Sequence, residues 1–140
     1  MAFTFMGVES GQAESEAIPI LKAQKLNVTQ LRPGVYSLTD QEGQGLGGWV
    51  DFCQGRLVEI GMAQKYETFP DWLKAATTAF GNSRIDVSSH GFWKKEYQVT
   101  YLWEVGDERH SITTFSTHRQ NPPNIVMVHW GYGKSCEVGG

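Results

Sequence analysis

Residues 97–105 read Tyr97-Gln98-Val99-Thr100-Tyr101-Leu102-Trp103-Glu104-Val105. Tyr97, Val99, Tyr101, Trp103 and Val105 recur at every second position, with Gln98, Thr100, Leu102 and Glu104 between them. Successive side chains of an extended chain point to opposite faces, so a period of two predicts a strand with one buried face. Gly106-Asp107-Glu108 supplies a turn, and Ser111 to Thr117 reads as a Thr-rich strand. Asn121-Pro122-Pro123-Asn124 breaks the chain before a last strand, Ile125 to Trp130. The C-terminal half is therefore an antiparallel meander, in which 97–105 is expected to be central.

Working outward, Ile85 to Val87 predicts a short strand. Before it, Phe69, Trp72, Leu73, Ala76 and Phe80 fall at helical spacing. Thr68 stands at the N-cap, with Pro70 in the first turn, Asp71 placed as in a capping box, and Gly81-Asn82 as the stop. Further back, Gly48 to Cys53 and Arg56 to Met62 read as a hairpin closed by Gln54-Gly55. Val35 to Leu38 is a strand, and Asp40 to Gly48 a glycine-rich loop. Ser15 caps a first helix from Glu16 to about Lys25, with Pro19 in or just after its first turn. Phe3 to Val8 is a short strand. The order predicts an α+β fold: an antiparallel sheet of five or more strands with two helices packed on one face. The whole chain, 1–140, reads as a single domain, with a helix-plus-meander architecture repeated in 1–65 and 66–132.

Apolar residues make up 40% of the chain and charged residues 19%, which suits a core-forming protein. The net charge is −3 and Lys94-Lys95 is the only adjacent basic pair, which argues against nucleic acid and anionic membranes as partners. No apolar run approaches the ~18 residues of a membrane span, and Met1 to Val8 is unlike a signal peptide. A cytoplasmic location follows, or a periplasmic or secreted one if a leader has been removed. Cys53 and Cys136 allow one disulfide at most; two free thiols in a reducing compartment are expected.

Chemistry-bearing constellations are sparse. His90, His110, His118 and His129 lack zinc-ligand spacing, although His118 and His129 stand at the ends of adjacent strands. Cys53 sits in a strand beside a tight turn, without the cation or helix N-terminus that activates a thiol. Asp51 and Glu59 fall as cross-strand neighbours of the 48–62 hairpin, where an acid and a base would face one another. Gly43 to Gly48 lacks the Lys-Ser/Thr and the following helix of a phosphate loop. No metal site, cofactor or catalytic set is assigned.

Gly11, the helix around Ser15 to Leu26, and Gly48-Trp49-Val50-Asp51-Phe52-Cys53-Gln54-Gly55-Arg56-Leu57-Val58-Glu59-Ile60 together resemble SmpA/OmlA (BamE-like) domains, the helix-plus-meander type found in β-lactamase inhibitory protein. The resemblance covers the first half of the chain. It implies a non-enzymatic protein that binds another protein through its sheet and loops.

The aromatic residues are the positive signal: five Trp, five Tyr and seven Phe. Phe92, Trp93, Trp130 and Tyr132 fall at turns and strand ends, where anchors for a protein partner are expected, with the 43–48 loop at the rim. The functional expectation is a protein-binding module, such as a stoichiometric inhibitor or immunity-type protein; a homodimer through its aromatic surface is a further option. The alternative is a cone-shaped α+β domain with an aromatic-lined pocket for a small molecule or for catalysis.

Overall fold

The computed structural model describes residues 3–41, 46–90, 96–106, 108–117 and 125–132. A short hairpin comes first, β1 (Thr4–Phe5) and β2 (Val8–Glu9). Helix α1 (Glu14–Lys22) leads into the meander β3 (Leu26–Arg32), β4 (Val35–Asp40), β5 (Gly47–Cys53) and β6 (Arg56–Lys65). A 3-10 turn (Tyr66–Thr68) precedes α2 (Phe69–Phe80). The second meander is β7 (Arg84–His90), β8 (Glu96–Val105), β9 (Glu108–Thr117) and β10 (Ile125–Tyr132). The eight strands from β3 to β10 form one antiparallel sheet in the order β3-β4-β5-β6-β10-β9-β8-β7. That order is symmetric about its middle: each helix precedes four strands, and the fourth strands of the two sets pair. The fold is α+β with a large antiparallel sheet and two helices.

The β5–β6 hairpin closes through Gln54 and Gly55 at φ 53° and 75°, the two positive angles of a turn whose twist matches its strands. Its tip also starts α1. The Glu14 N–H donates to Gly55 O at 2.9 Å and Ala13 bridges Arg56, so backbone, and not the Ser15 hydroxyl, satisfies the first orphan donor. The helix consequently begins at Glu14, earlier than the sequence predicts. Pro19 falls inside it, where it offers no N–H to the preceding turn, and the helix ends at Lys22. Lys25, at φ 62°, then turns the chain into β3. This strand was not expected: Leu26 opens it instead of closing the helix. Leu26 and Val28 alternate with exposed Asn27 and Thr29, but Gln30, Leu31 and Arg32 are all exposed on an edge, so the alternation that betrays a strand stops after four residues.

Helix α2 lies where periodicity puts it, and Gly81, at φ 89°, ends it with its N–H on Thr77 O. Thr68 does not cap through its side chain. Its backbone is already helical, and Oγ1 donates to Lys65 O at 2.7 Å. Strand β8 is not central: it lies second from the edge, because β10 folds back onto β6 and the meander grows outward from that pairing. Cys53 is disulfide-bonded, against the expectation of a free thiol; the chain's other cysteine, Cys136, lies outside the described residues. Among the described residues no helix is long and apolar enough to cross a membrane.

Register defines the two faces. One row across the sheet runs Tyr36, Val50, Ile60, Trp130, His110, Trp103, and the next runs Val28, Leu38, Gly48, Met62, Val128, Ile112, Tyr101, Ile85. These rows meet Ala17 and Leu21 of α1, Ala76 of α2, and Phe3, Phe5 and Val8 of the N-terminal hairpin in one core. Phe5 stacks on Trp72, and Phe80 packs against Trp103 and Trp130. Trp103 is 2% exposed and donates its indole N–H to Gly81 O at 2.8 Å, pinning the end of α2 to β8. Trp103→Ala removes a buried ring and leaves that carbonyl without its donor. Chemical denaturation should show a loss of about 3–5 kcal/mol.

Candidate functional site

On the face away from the helices, one cross-strand row runs Ser37, Trp49, Gly61, His129, Ser111. Strands lie about 4.8 Å apart, so Trp49 and His129, two strands from each other, would stand roughly 10 Å apart at the backbone. Gly61 between them has no side chain, and the two rings close over it to a centroid distance of 5.2 Å. A Cβ built on Gly61 would lie 2.5–2.8 Å from three carbons of the Trp49 ring. The glycine is therefore the floor on which Trp49 lies.

The neighbouring row holds Val35, Asp51, Glu59 and Gly131. Glu59 is thus the cross-strand neighbour of Asp51, as the hairpin register predicts. Trp49 Nε1–H donates to Glu59 Oε1 at 2.9 Å. His129 Nε2 lies 3.1 Å from the same oxygen. Burial pushes the Glu59 pKa up, but His129 and the Trp49 indole more than offset it, and the carboxyl titrates below its ordinary value. The result is an oriented carboxylate, anionic at neutral pH, against a half-buried Trp and His. Such a set suits recognition of a cationic or hydrogen-bonding group, since a carboxylate and a ring face attract the same ligands.

A second polar pair lies inside the core. His110, fully buried, stacks on Phe80 at 4.0 Å and meets Trp130 edge-on. Its Nε2 is 3.2 Å from Glu108 Oε1, while Nδ1 has no hydrogen-bond partner among the described residues. Burial lowers the His110 pKa to about 4 and raises that of Glu108. With His110 enclosed by Phe3, Phe80 and Trp130 and Glu108 only 7% exposed, this pair belongs to the fold and not to an accessible site.

Of the anchors predicted from sequence, Trp130 is a core residue and not a surface contact. It is 3% exposed, because the row that carries it faces the helices, and its indole N–H donates to Thr4 O at 3.2 Å. Tyr132 is placed by its backbone opposite Glu108 at the end of β10. Phe92 and Trp93 lie outside the described residues, as do His118 and residues 43–45 of the 43–48 loop, whose last two residues open β5. Trp49 and Gly61 went unassigned. A signal for Trp49 was present: it shares a strand face with Asp51, opposite Val50 and Phe52, and a large ring on the polar face of a strand stands out. Among the described residues, no group of three or more His, Cys, Asp and Glu is arranged to hold a metal ion. An open depression of about 560 Å³ lies beside α1 and the β3–β4 edge, lined by Lys22, Asn27, Thr29, Thr39 and Gln41 among others. Lys22 is the titratable side chain among its described lining residues. No family model, curated protein or solved structure matches the chain.

Two outcomes follow from these clusters. In Gly61→Ala the added methyl displaces Trp49 from Glu59, so the tryptophan fluorescence should shift to the red while far-ultraviolet dichroism is retained. For His110, the unfolded ring takes up a proton near pH 6.5 and the folded one only near 4. Stability should therefore fall by about 3 kcal/mol as pH drops through that window, the unfolded state binding more protons. Glu108 works in the opposite direction, since its raised pKa costs the fold stability as pH rises above 4.5. Denaturant titrations from pH 4 to 7 should lose the acid limb in His110→Phe and keep it in Glu108→Gln.

Proposed function

We propose that this chain is a non-enzymatic protein-binding module whose partner docks on the outer sheet face around Trp49, Glu59 and His129. The observation that carries the reading is the Trp49 indole, held half-buried on a polar strand face by Gly61 beneath it and Glu59 beside it. A ring fixed before binding loses little entropy on contact, which is why immobilised Trp residues dominate interface energies. The opposite face is occupied by the helices and a close-packed aromatic core, which favours the sheet's outer face for a partner. The resemblance of the 48–60 hairpin to BamE-like domains supports the same class. Within it, a stoichiometric inhibitor or immunity-type protein suits a mildly acidic chain that presents a carboxylate beside its anchor ring. The disulfide at Cys53 favours a periplasmic or secreted setting over the cytoplasm, because such bonds persist in oxidising compartments.

A second reading, a small-molecule or catalytic domain, draws on one observation: the Glu59–His129 pair at 3.1 Å joins a carboxylate to an imidazole, the elements of proton transfer. The two readings separate by experiment. Affinity capture from the source cells should retain one protein in stoichiometric amount on the wild-type chain. Trp49→Ala should keep the fold and weaken that complex by about 2 kcal/mol or more, whereas Lys74→Ala on the exposed side of α2 should leave it intact. Retention of full affinity by Trp49→Ala would move the interface elsewhere. A turnover of substrate abolished by Glu59→Gln and His129→Asn would replace the binding reading with the catalytic one.

A further inference from the structure

Gly61 fixes which way the Trp49 ring lies. A Cβ built there would meet Cη2, Cζ2 and Cζ3 of the ring at 2.5, 2.7 and 2.8 Å. Three adjacent carbons at nearly equal distances place that point over the face of the ring and not at its edge. One face of the indole therefore rests on the backbone of β6, and the other points away from the sheet. In the ring plane, Nε1–H donates to Glu59 Oε1 at 2.9 Å, and the His129 imidazole stands 3.1 Å from the same atom. Both contacts use Oε1. Among the described residues Glu59 Oε2 accepts no hydrogen bond, and no Lys or Arg pairs with the carboxylate. Arg109, two strands away across Gly131, pairs with Glu104 instead, at 3.5 Å. The Glu59 side chain keeps 18% of its surface exposed, so a group arriving from outside can reach it.

Beside this cluster the outer face is free of acidic and basic chains. The row that carries Trp49 runs from Ser37 to Leu102 across six strands. The row next to it runs from Ala63 through Met127 and Thr113 to Thr100. Neither holds Asp, Glu, Lys or Arg. Charged side chains return in the row of Glu59, with Asp51, Arg109 and Glu104. A sheet face given over to water ordinarily carries polar residues, whereas the centre of a protein interface is depleted of charge and ringed by a polar rim. Trp49 and Glu59 stand on the boundary between the two.

A group laid on the outward face of the indole comes within reach of the carboxylate beside it. A cation gains there twice, from the ring quadrupole and from Glu59. A guanidinium suits the place better than an ammonium. It is planar, stacks on an aromatic face, donates from its edge, and is more weakly hydrated. From the outward ring face, the unused carboxylate oxygen and the uncharged rows beside them, we infer that the partner is a protein that lays an arginine across Trp49, pairs it with Glu59 and seats an uncharged surface on those rows. This rests on the protein-binding reading of the same face and names what the partner brings to it.

N-acetylarginine amide serves as the probe, with N-acetyllysine amide and the near-isosteric but uncharged N-acetylcitrulline amide beside it. The readout is the Trp49 Nε1–H resonance in heteronuclear NMR of the whole chain, assigned from its loss in Trp49→Phe. The arginine amide should shift it saturably, with a Kd on the order of 10 mM. The lysine amide should bind several-fold more weakly, and the citrulline amide should leave the resonance in place. Glu59→Gln keeps an acceptor for the indole and removes the charge. It should abolish the shift by the arginine amide and weaken the captured partner complex at least about tenfold. An arginine amide without effect, a lysine or citrulline amide that matches it, or a shift that survives Glu59→Gln overturns the inference. A partner complex weakened by Trp49→Ala but indifferent to Glu59→Gln overturns it too and leaves the protein-binding reading standing, whereas full affinity in Trp49→Ala removes both.

Discussion

The pairing of β6 with β10 is the constraint on which the rest depends. Strands of two separate meanders, contributed by residues 59–65 and 125–131, align in seven consecutive positions. Without that seam there are two four-stranded sheets, each with a bare edge and one helix to cover it. With it, the core becomes continuous: Val50 and Ile60 from the first meander stand in one row with Trp130, His110 and Trp103 from the second. The N-terminal hairpin adds to this, since Phe5 packs on both Trp72 and Trp130, and Thr4 accepts the Trp130 indole proton. Closing so long a loop costs conformational entropy, and the buried aromatic surface assembled across the seam opposes that cost.

The same seam creates the candidate site on the other face. Trp49 and Glu59 belong to the first meander and His129 to the second, and they meet only because Gly61 sits opposite both Trp49 and His129. A glycine in a strand interior weakens the strand intrinsically, yet it allows a neighbouring ring to lie on the backbone. The loss of local propensity here coincides with a place on the outer face where a ring is held in position by an ionised carboxylate. Local weakness at a position that organises a polar cluster is the kind of conflict between levels that marks functional surfaces.

The buried His110–Glu108 pair shows a different solution. Two titratable groups are buried side by side, His110 among Phe3, Phe80 and Trp130, and burial drives each toward its neutral form, His110 downward in pKa and Glu108 upward. Neutral, they cost far less to bury than as ions. Their placement puts the titration of His110 at the centre of the second meander, apart from the Glu59 carboxylate of the outer site.

How much of this was legible follows from what kind of signal each feature leaves. The period of two in 97–105, the helical spacing from Phe69 to Phe80 and the Gln54-Gly55 turn are local patterns, and they established strands, helix, hairpin and the α+β class by themselves. Asp51 and Glu59 were readable as neighbours because a tight turn sets hairpin register. Strand β3 was not, since its alternation covers only Leu26 to Thr29 before the chain runs on as an exposed edge. The burial of Trp130 was hidden too: a strand shows which residues share a face, but not which face the helices cover. Likewise, the Trp49–Glu59–His129 cluster depends on β10 docking beside β6, a contact between residues some seventy positions apart. Sequence alone determined the elements and their order, because backbone period and turn chemistry act over a few residues. The tertiary structure decided which of those elements became centre, edge, core and site, because packing and long-range register are properties of the assembled sheet.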